Sequence, residues 1–195
     1  MGKNRLEAFS DGVLAIIITI MVLELKVPHG GDLSALLGMW PVLVSYILSF
    51  IYVGIYWNNH HNLFHAATSV SGGVLWANLH LLFWLSLIPV TTAWLGEHPN
   101  LAWPAALYGL VLLGSAFAYY LLTCALIARH GTQSKLARSL GRDFKGRLSI
   151  VLYAAGVGSA FVHSALACAF YAGVAALWLV PDRRFEKRLA ENTEE

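Results

Sequence analysis

The chain has 195 residues, of which 57% are hydrophobic and only 12% are charged. Soluble globular domains carry about 25% charged residues, so this chain has too few charges to cover a surface that faces water. The composition therefore excludes a soluble domain and predicts an all-α integral membrane protein with the lipid bilayer as its solvent. Cys124 and Cys168 lie inside apolar runs and are expected to pack in the core. We expect no nucleic-acid partner.

Apolar runs of about 20 residues, the length that crosses the hydrocarbon layer, predict six transmembrane helices in a single domain that covers residues 1–195. The predicted spans are about 6–26, 36–64, 72–97, 101–128, 146–163 and 164–181. Pro41 falls in the first turn of the second span, where a missing N–H is tolerated, and Pro89 predicts a kink in the third. The stretch 148–181 is too long for one span, and His163-Ser164 marks the turn expected inside it.

The distribution of Lys and Arg predicts the orientation of the chain. Twelve of the thirteen basic residues lie in segments that an even number of helices places on one side, and only Lys26 lies opposite. Both chain termini are therefore expected in the cytoplasm, which excludes five or seven helices. The twelve are Lys3, Arg5, Arg129, Lys135, Arg138, Arg142, Lys145, Arg147, Arg183, Arg184, Lys187 and Arg188. The sequence shows no internal repeat, so a pore would need several copies of the chain.

Polar and charged residues open the first predicted helix in the run Arg5-Leu-Glu-Ala-Phe9-Ser10-Asp11. Charged groups at membrane depth are functional candidates, although a capping cluster is the plainer interpretation, because carboxylates suit a helix N-terminus. At about 100° per residue, Asp11 points about 140° away from Ile16, so we expect its partner on another helix. One narrow face of the same helix is shared by Ile16, Ile20, Leu23 and Val27, with Thr19 on its border.

The motif R-x-x-x-F-S-D formed by Arg5, Phe9, Ser10 and Asp11, with the apolar helix that continues it, resembles the signature of the transmembrane protein 175 family. That family comprises the endolysosomal potassium channel and its single-repeat prokaryotic relatives. The resemblance extends over essentially the whole chain, including Tyr56-Trp-Asn-Asn-His-His61 and Trp76-Ala-Asn-Leu-His80. It implies a prokaryotic potassium-selective channel rather than an enzyme. The channel would conduct K⁺ passively as a homotetramer in the bacterial inner membrane, with the first helix of each subunit lining a central pore.

The resemblance also assigns the pore. Ile16 matches the narrowest ring of side chains and Thr19 a hydroxyl layer beside it. Ile20 and Leu23 match further hydrophobic rings, and some relatives carry Leu at the position of Ile20. The chain contains no T-V-G-Y-G filter, and a ring of aliphatic side chains can gate by dewetting.

Our hypothesis for selectivity is that K⁺, the more weakly hydrated ion, loses less than Na⁺ when it sheds water at Ile16. Thr19 hydroxyls would replace part of the lost shell, and no cofactor is expected beyond the permeant K⁺. Without the resemblance, ordinary lipid or helix packing would explain these apolar residues.

Asn78 and His80 lie in the apolar run of the third predicted helix, where an unpaired imidazole is costly. In the family, equivalent polar residues hydrogen-bond the signature Ser and Asp. We therefore predict a network of five side chains that holds the first helix in its pore-lining orientation: Arg5, Ser10, Asp11, Asn78 and His80.

Three histidines, His60, His61 and His65, form a polar patch near the end of the second predicted helix. The i,i+4 spacing of His61 and His65 would allow both to bind one metal ion, although placement at the membrane interface is the plainer interpretation. Two other functions therefore stay open. One is a membrane-embedded metalloenzyme that uses these histidines and His80, and the other is a proton-coupled transporter with Asp11 and His80 as its relay.

Overall fold

The computed structural model describes residues 2–28, 30–131, 133–134, 137 and 144–179, and this part of the chain is helical with connecting turns. Its helices are α1 Lys3–Leu23, α2 Leu33–Gly38, α3 Trp40–His65, α4 Gly72–Ser86, α5 Ile88–Glu97, α6 Ala102–His130, α7 Phe144–Ala160 and α8 Ser164–Leu179. The predicted all-α class is confirmed. The end of the sixth predicted span lies outside the described part. Seven basic residues of the predicted cytoplasmic segments also lie outside it: Lys135, Arg138, Arg142, Arg183, Arg184, Lys187 and Arg188.

Four helical stretches in the described residues are long and apolar enough to cross a membrane. They are Lys3–Leu23, Trp40–His65, Gly72–Glu97 and Ala102–His130. The described parts of α7 and α8 have 17 and 16 residues, which at 1.5 Å per residue extend about 25 Å, somewhat less than a hydrocarbon layer of about 30 Å. The protein is therefore a membrane protein, and the total of six spans stays a prediction.

Two prolines and a serine mark the start of α3, the start of α4 and the break between α4 and α5. Pro41 occupies the first turn of α3. The Ser71 hydroxyl accepts a backbone amide of the first turn of α4 at 3.4 Å, which satisfies a donor that has no partner inside the helix. The third predicted span divides at Leu87, between α4 and α5. Pro89 explains this break, because its nitrogen carries no hydrogen to donate to the carbonyl of Leu85.

Helix α6 lies at the centre of the bundle. It packs along α4, α5, α7 and α8, while α7 and α8 pack on each other as a hairpin. Helix α1 lies on a different side, where its main contacts are with α3, α4 and α5. The first helix is therefore a peripheral element of the single subunit, held by three neighbours.

Buried tyrosines join the halves of the bundle. The rings of Tyr108 on α6 and Tyr171 on α8 lie 5.7 Å apart, and those of Tyr52 and Tyr153 lie 6.1 Å apart. The Tyr52 hydroxyl donates to the carbonyl of Tyr171 at 2.5 Å, and the Tyr171 hydroxyl donates to the carbonyl of Ala105 at 3.1 Å. Since lipid offers no water to polar groups, these bonds fasten α3, α6 and α8 together at points where a bare phenol would be costly.

The Tyr171 ring is accommodated because glycines face it from two helices. A Cβ atom on Gly109 of α6 would overlap the Tyr171 hydroxyl, and one on Gly156 of α7 would overlap its ring edge. Tyr171 itself is fully buried, so its ring has no open space into which it could move. Small residues at such positions let membrane helices approach closely.

We expect Gly156→Ala to destabilise the bundle by about 1–3 kcal/mol, because the added methyl group overpacks a buried ring. Gly158→Ala is the matched control, since a Cβ atom there meets nothing within 4 Å. The measurement is the temperature at which detergent-purified protein loses its monodisperse size-exclusion peak. If the two variants lost this peak at the same temperature, this account of the Tyr171 contact would be contradicted.

Candidate functional site: the first helix and its polar anchor

One face of α1 is packed against its neighbours. Its buried residues recur every three or four positions, at Leu6, Ser10, Leu14, Ile17 and Met21. This spacing keeps them on one side of a helix with 3.6 residues per turn. The packed face meets α3, α4 and α5, so it determines the position of α1 in the subunit.

On another side of α1, no helix of the described part of the chain covers the surface. We call Ile16, Thr19, Ile20 and Leu23 the open face of α1. The exposed fraction is 59% for Ile16, 41% for Ile20 and 77% for Leu23, and Thr19 is exposed as well. The four residues that the family resemblance assigned to the pore therefore lie together on a surface that is available to another molecule.

Thr19 presents an acceptor on the open face. Its hydroxyl donates to the carbonyl of Ala15 at 2.8 Å, one turn earlier in the same helix. A hydroxyl has one hydrogen and two lone pairs, so the lone pairs of Thr19 are left for a partner outside the helix. An oxygen in this state can accept a hydrogen bond or coordinate a cation.

A buried chain of hydrogen bonds fixes α1 from behind. Asn78 Nδ2 on α4 donates to Ser10 Oγ at 3.0 Å, and Asn78 Oδ1 lies 2.8 Å from His60 Nε2 on α3. Because an amide oxygen can only accept, Nε2 of His60 carries the hydrogen of this bond. Ser10 in turn donates to the carbonyl of Leu6 at 2.9 Å. We call Ser10, Asn78 and His60 the polar anchor.

Asp11 has a partner from another helix, as its position on the helical wheel led us to expect. Trp57 Nε1 on α3 donates to Asp11 Oδ1 at 3.2 Å, in an exposed setting beside the polar anchor. Lys3 adds a third link at this end of α1, since its ammonium group donates to the carbonyl of Ala67 at 3.0 Å. Arg5 and Phe9 are exposed, and neither is part of the polar anchor.

The structure corrects the predicted role of His80. Its Nε2 accepts the indole hydrogen of Trp84 at 3.0 Å, so its partner lies on its own helix and not on α1. The reason is geometric, because residues 78 and 80 differ by about 200° on a helix and cannot face the same neighbour. Of the five side chains in the predicted network, the structure joins Ser10 to Asn78. It places Asp11 against Trp57 and leaves Arg5 and His80 outside.

The three histidines of the polar patch separate on α3. His60 is only 3% exposed and belongs to the polar anchor, so its ring is packed inside the subunit. His61 and His65 are exposed, with ring centroids 6.2 Å apart. In the described residues, no three His, Cys, Asp or Glu side chains are grouped so that they could hold a metal ion. The structure therefore gives the metalloenzyme interpretation no support.

Sequence reasoning missed His60 and Trp57 as partners of the first helix. The sequence does carry a signal for His60, because it recurs at four-residue spacing with three aromatic residues, Tyr52, Tyr56 and Phe64. This spacing puts the four side chains near one face of α3, and the structure buries all four. Helical spacing also separates Asn78 from His80. Asn78 lies on the buried face of α4 with Val74, Leu81, Leu82 and Leu85, whereas His80 does not. No comparable pattern marks Trp57.

Fold and site together define a helical membrane protein that spans the bilayer several times. One face of its first helix is packed against neighbouring helices, and another face is apolar and exposed. The family model described as the endosomal/lysosomal potassium channel TMEM175 matches residues 5–89. The chain is 53% identical over 192 residues to a potassium channel of Chryseobacterium sp. (strain P1-3), covering 98% of this chain and 100% of the relative. It therefore belongs to the TMEM175 family.

Two further comparisons agree. The chain is 35% identical to a potassium channel of Streptomyces collinus, with 90% of each protein covered. It also resembles the crystal structure of a lysosomal potassium-selective channel TMEM175 homolog from Chamaesiphon minutus. The TM-score is 0.79 at 28% identity, and the match covers 91% of this chain and 96% of that chain. The similarity in structure extends well beyond the segment that carries the signature motif.

Substituting Asn78→Ala should destabilise the protein by about 1–2 kcal/mol, because Ser10 and His60 both lose a buried partner. His80→Ala is the control, since its bond to Trp84 stays within α4 and leaves the polar anchor intact. The stability of both variants is measured by thermal unfolding in detergent, monitored by near-ultraviolet circular dichroism. A larger loss of stability for His80→Ala than for Asn78→Ala would contradict this description of the anchor.

Proposed function

We propose that the protein is a potassium-selective cation channel in which four copies of the chain surround a central pore lined by α1. The whole of residues 1–195 serves as one channel domain. The observation that carries the proposal is the open face of α1, since Ile16, Ile20 and Leu23 are exposed on a helix whose other face is packed. Membership of the TMEM175 family supports it, because two relatives that align over nine-tenths or more of the chain are named potassium channels.

In this proposal, passive conduction depends on a constriction of aliphatic rings. Four Ile16 side chains form the narrowest ring, where water is excluded unless the ring widens. K⁺ passes in preference to Na⁺ because it holds its water less tightly. The outward lone pairs of Thr19, one turn further along α1, replace part of the hydration shell. Ile20 and Leu23 extend the apolar lining towards the C-terminal end of the helix.

The polar anchor serves the pore by fixing the rotation of α1 about its own axis. Each residue of a helix turns by about 100°, so even a one-residue rotation would move Ile16 away from the pore axis. Asn78 opposes such a rotation because it joins Ser10 of α1 to His60 of α3 in a buried setting. The signature Ser is in this view a positioning residue, and the signature Asp acts with it through Trp57.

We further propose that both termini lie in the cytoplasm and that the protein resides in the cell membrane of a bacterium. Lys3 lies beside Ala67, and the backbone amides of Thr68 and Ser69 donate to His130 Nε2. These contacts bring the start of α1, the α3–α4 turn and the end of α6 to one side of the bundle. Arg129 lies on the same side, and Lys145 and Arg147 begin α7. These described basic residues are among those that the positive-inside rule assigns to the cytoplasm.

The proposal includes no cofactor and no enzymatic step, with K⁺ as the permeating ion. The transporter alternative has lost its relay, because Asp11 bonds to Trp57 and His80 bonds to Trp84. The two groups that would have exchanged a proton thus have separate partners on separate helices.

The Ile16→Asn variant tests the pore assignment. We expect the reversal potential under bi-ionic K⁺ and Na⁺ conditions to move towards zero, because an amide ring lets partly hydrated Na⁺ pass. Ile47→Asn is the matched control, since Ile47 is an exposed isoleucine on α3 with a 55% exposed fraction. An unchanged reversal potential in Ile16→Asn, or an equal change in Ile47→Asn, would defeat the assignment.

The proposed stoichiometry predicts the mass of the protein part of a detergent complex. Light scattering with refractive-index and absorbance detection should give four times the 21.4 kDa of the chain. A protein mass of one or two chains under conditions that support ion flux would contradict a four-subunit pore.

A further inference from the structure

Two polar side chains at the surface of the subunit lie at almost the same height along the bundle as the polar anchor. Helices α3 and α4 are antiparallel neighbours in sequence, and the bond between His60 and Asn78 fixes their relative height. Two residues back from His60 and two residues forward from Asn78 lead in the same direction, each by about 3 Å. Asn58 and His80 are therefore found at one height, on two different helices.

This height lies inside the apolar part of the membrane. Helix α3 has 26 residues and extends about 39 Å, so a centred span reaches about 5 Å beyond each side of a hydrocarbon layer of about 30 Å. Asn58 precedes the last residue of α3 by seven residues, or about 10 Å. It is thus about 5 Å inside the layer. Water is scarce there, so a polar group needs a partner from protein.

Asn58 has no such partner in the described part of the chain. Its side chain is exposed, and no described residue forms a hydrogen bond with its amide group. Asn58 follows Ile47 by 11 residues, a rotation of about 20°, so both side chains are on the outward face of α3. The amide therefore offers an acceptor oxygen and two hydrogens to another molecule.

His80 carries an unpaired donor at the same height. Its Nε2 accepts the indole hydrogen of Trp84, so the neutral ring holds its own hydrogen on Nδ1. Among the residues that the structure describes, none accepts this hydrogen. His80 is half-buried, and Trp76 and Phe83, about one turn away on α4, are both exposed. The Nδ1 hydrogen thus lies at the edge of an outward surface.

Helices α3 and α4 lie on opposite flanks of α1. Relative to Ile16, Ser10 points about 120° to one side and Asp11 about 140° to the other. Ser10 bonds to Asn78 on α4, and Asp11 bonds to Trp57 on α3. A ring of subunits with Ile16 at its axis therefore turns the α3 side of one subunit towards the α4 side of the next. Such a head-to-tail interface joins two different surfaces of the same chain.

We propose that His80 Nδ1 donates a hydrogen bond to Asn58 Oδ1 of the neighbouring subunit, and that four such bonds hold the tetramer together. The inference rests on the proposed function, since it needs four copies with α1 around the axis. The partner of both groups is a second copy of this chain, which matches a donor to an acceptor at one height. The bond acts in assembly and is separate from the selectivity step at Ile16.

Cross-linking between subunits tests the contact directly. The background is the Cys124→Ala/Cys168→Ala protein, which has no other cysteine. Because a cysteine side chain is shorter than asparagine or histidine, a short bifunctional methanethiosulfonate reagent bridges the introduced thiols. With both Asn58→Cys and His80→Cys, treatment of the protein in its membrane should give a ladder of two, three and four linked chains on a denaturing gel. Either substitution alone should leave most of the protein at 21.4 kDa.

The pair Ile47→Cys and His80→Cys is the matched control. Ile47 faces in nearly the same direction as Asn58 but lies 11 residues nearer the start of α3, about 16 Å away along the helix. This pair should give no ladder. A ladder as strong in the control as in the test pair would overturn the proposal, and so would the absence of a ladder in the test pair.

A second measurement needs no cysteine substitutions. Energy transfer between differently labelled subunits follows dissociation of the tetramer on dilution in detergent. Asn58→Ala and His80→Ala should each raise the concentration of half-dissociation by about fourfold, because four bonds of the strength typical of membrane bundles are lost. The double variant should match either single variant, since no further bond is removed. No shift in the single variants, or single shifts that multiply in the double variant, would contradict the contact.

The outcome is separable from that of the proposed function. If light scattering gives four chains and Ile16→Asn shifts the reversal potential, but the test pair gives no ladder, the α1-lined tetramer stands and this contact fails. If the protein mass is one or two chains under conditions that support ion flux, the proposed function itself fails.

Discussion

The structure depends on one constraint, which is that a polar group in a bundle surrounded by lipid must find its partner inside the protein. Asn78 meets this constraint by using both ends of its amide, one towards Ser10 and the other towards His60. Apolar packing alone cannot fix the rotation of α1, since lipid tails and leucine side chains are equally acceptable neighbours. The buried amide therefore provides directional information that the apolar part of the interface lacks. Everything proposed for the open face of α1 follows from this fixed rotation.

The helical class and most helix positions could be predicted because they follow from composition and local chemistry. Long apolar runs predict helices that can cross a membrane, Pro41 suits a first turn and Pro89 interrupts a span. The structure has long apolar helices at these runs, Pro41 in the first turn of α3 and a break at Leu87. A partner for Asp11 on another helix could be predicted because Asp11 points about 140° away from Ile16 on the helical wheel. None of these inferences required knowledge of how the helices pack.

The exact membership of the polar anchor could not be predicted, because it depends on which helices meet. Asn78 and His80 are two residues apart in one apolar run, and only the stripe of buried residues around Asn78 distinguishes them. His60 was grouped with His61 and His65 because the three are close in sequence, although the helix turns the first into the bundle and the others outwards. In a membrane helix that is apolar all round, hydrophobic periodicity does not show which face is packed, so polar residues carry most of the information about rotation.

The break at Leu87 has a mechanical consequence for the bundle. Helix α4 carries Asn78 and so supports the first half of α1, while α5, beyond the break, also packs on α1 and ends at the Glu97 contact with Lys26. A continuous helix would transmit a tilt along its full length, but Pro89 removes the amide that would stiffen this span in bending. The two halves of α1 thus rest on two helices that are separated by the break at Leu87, so a bend at this break would move the support of one half without moving Asn78, which supports the other.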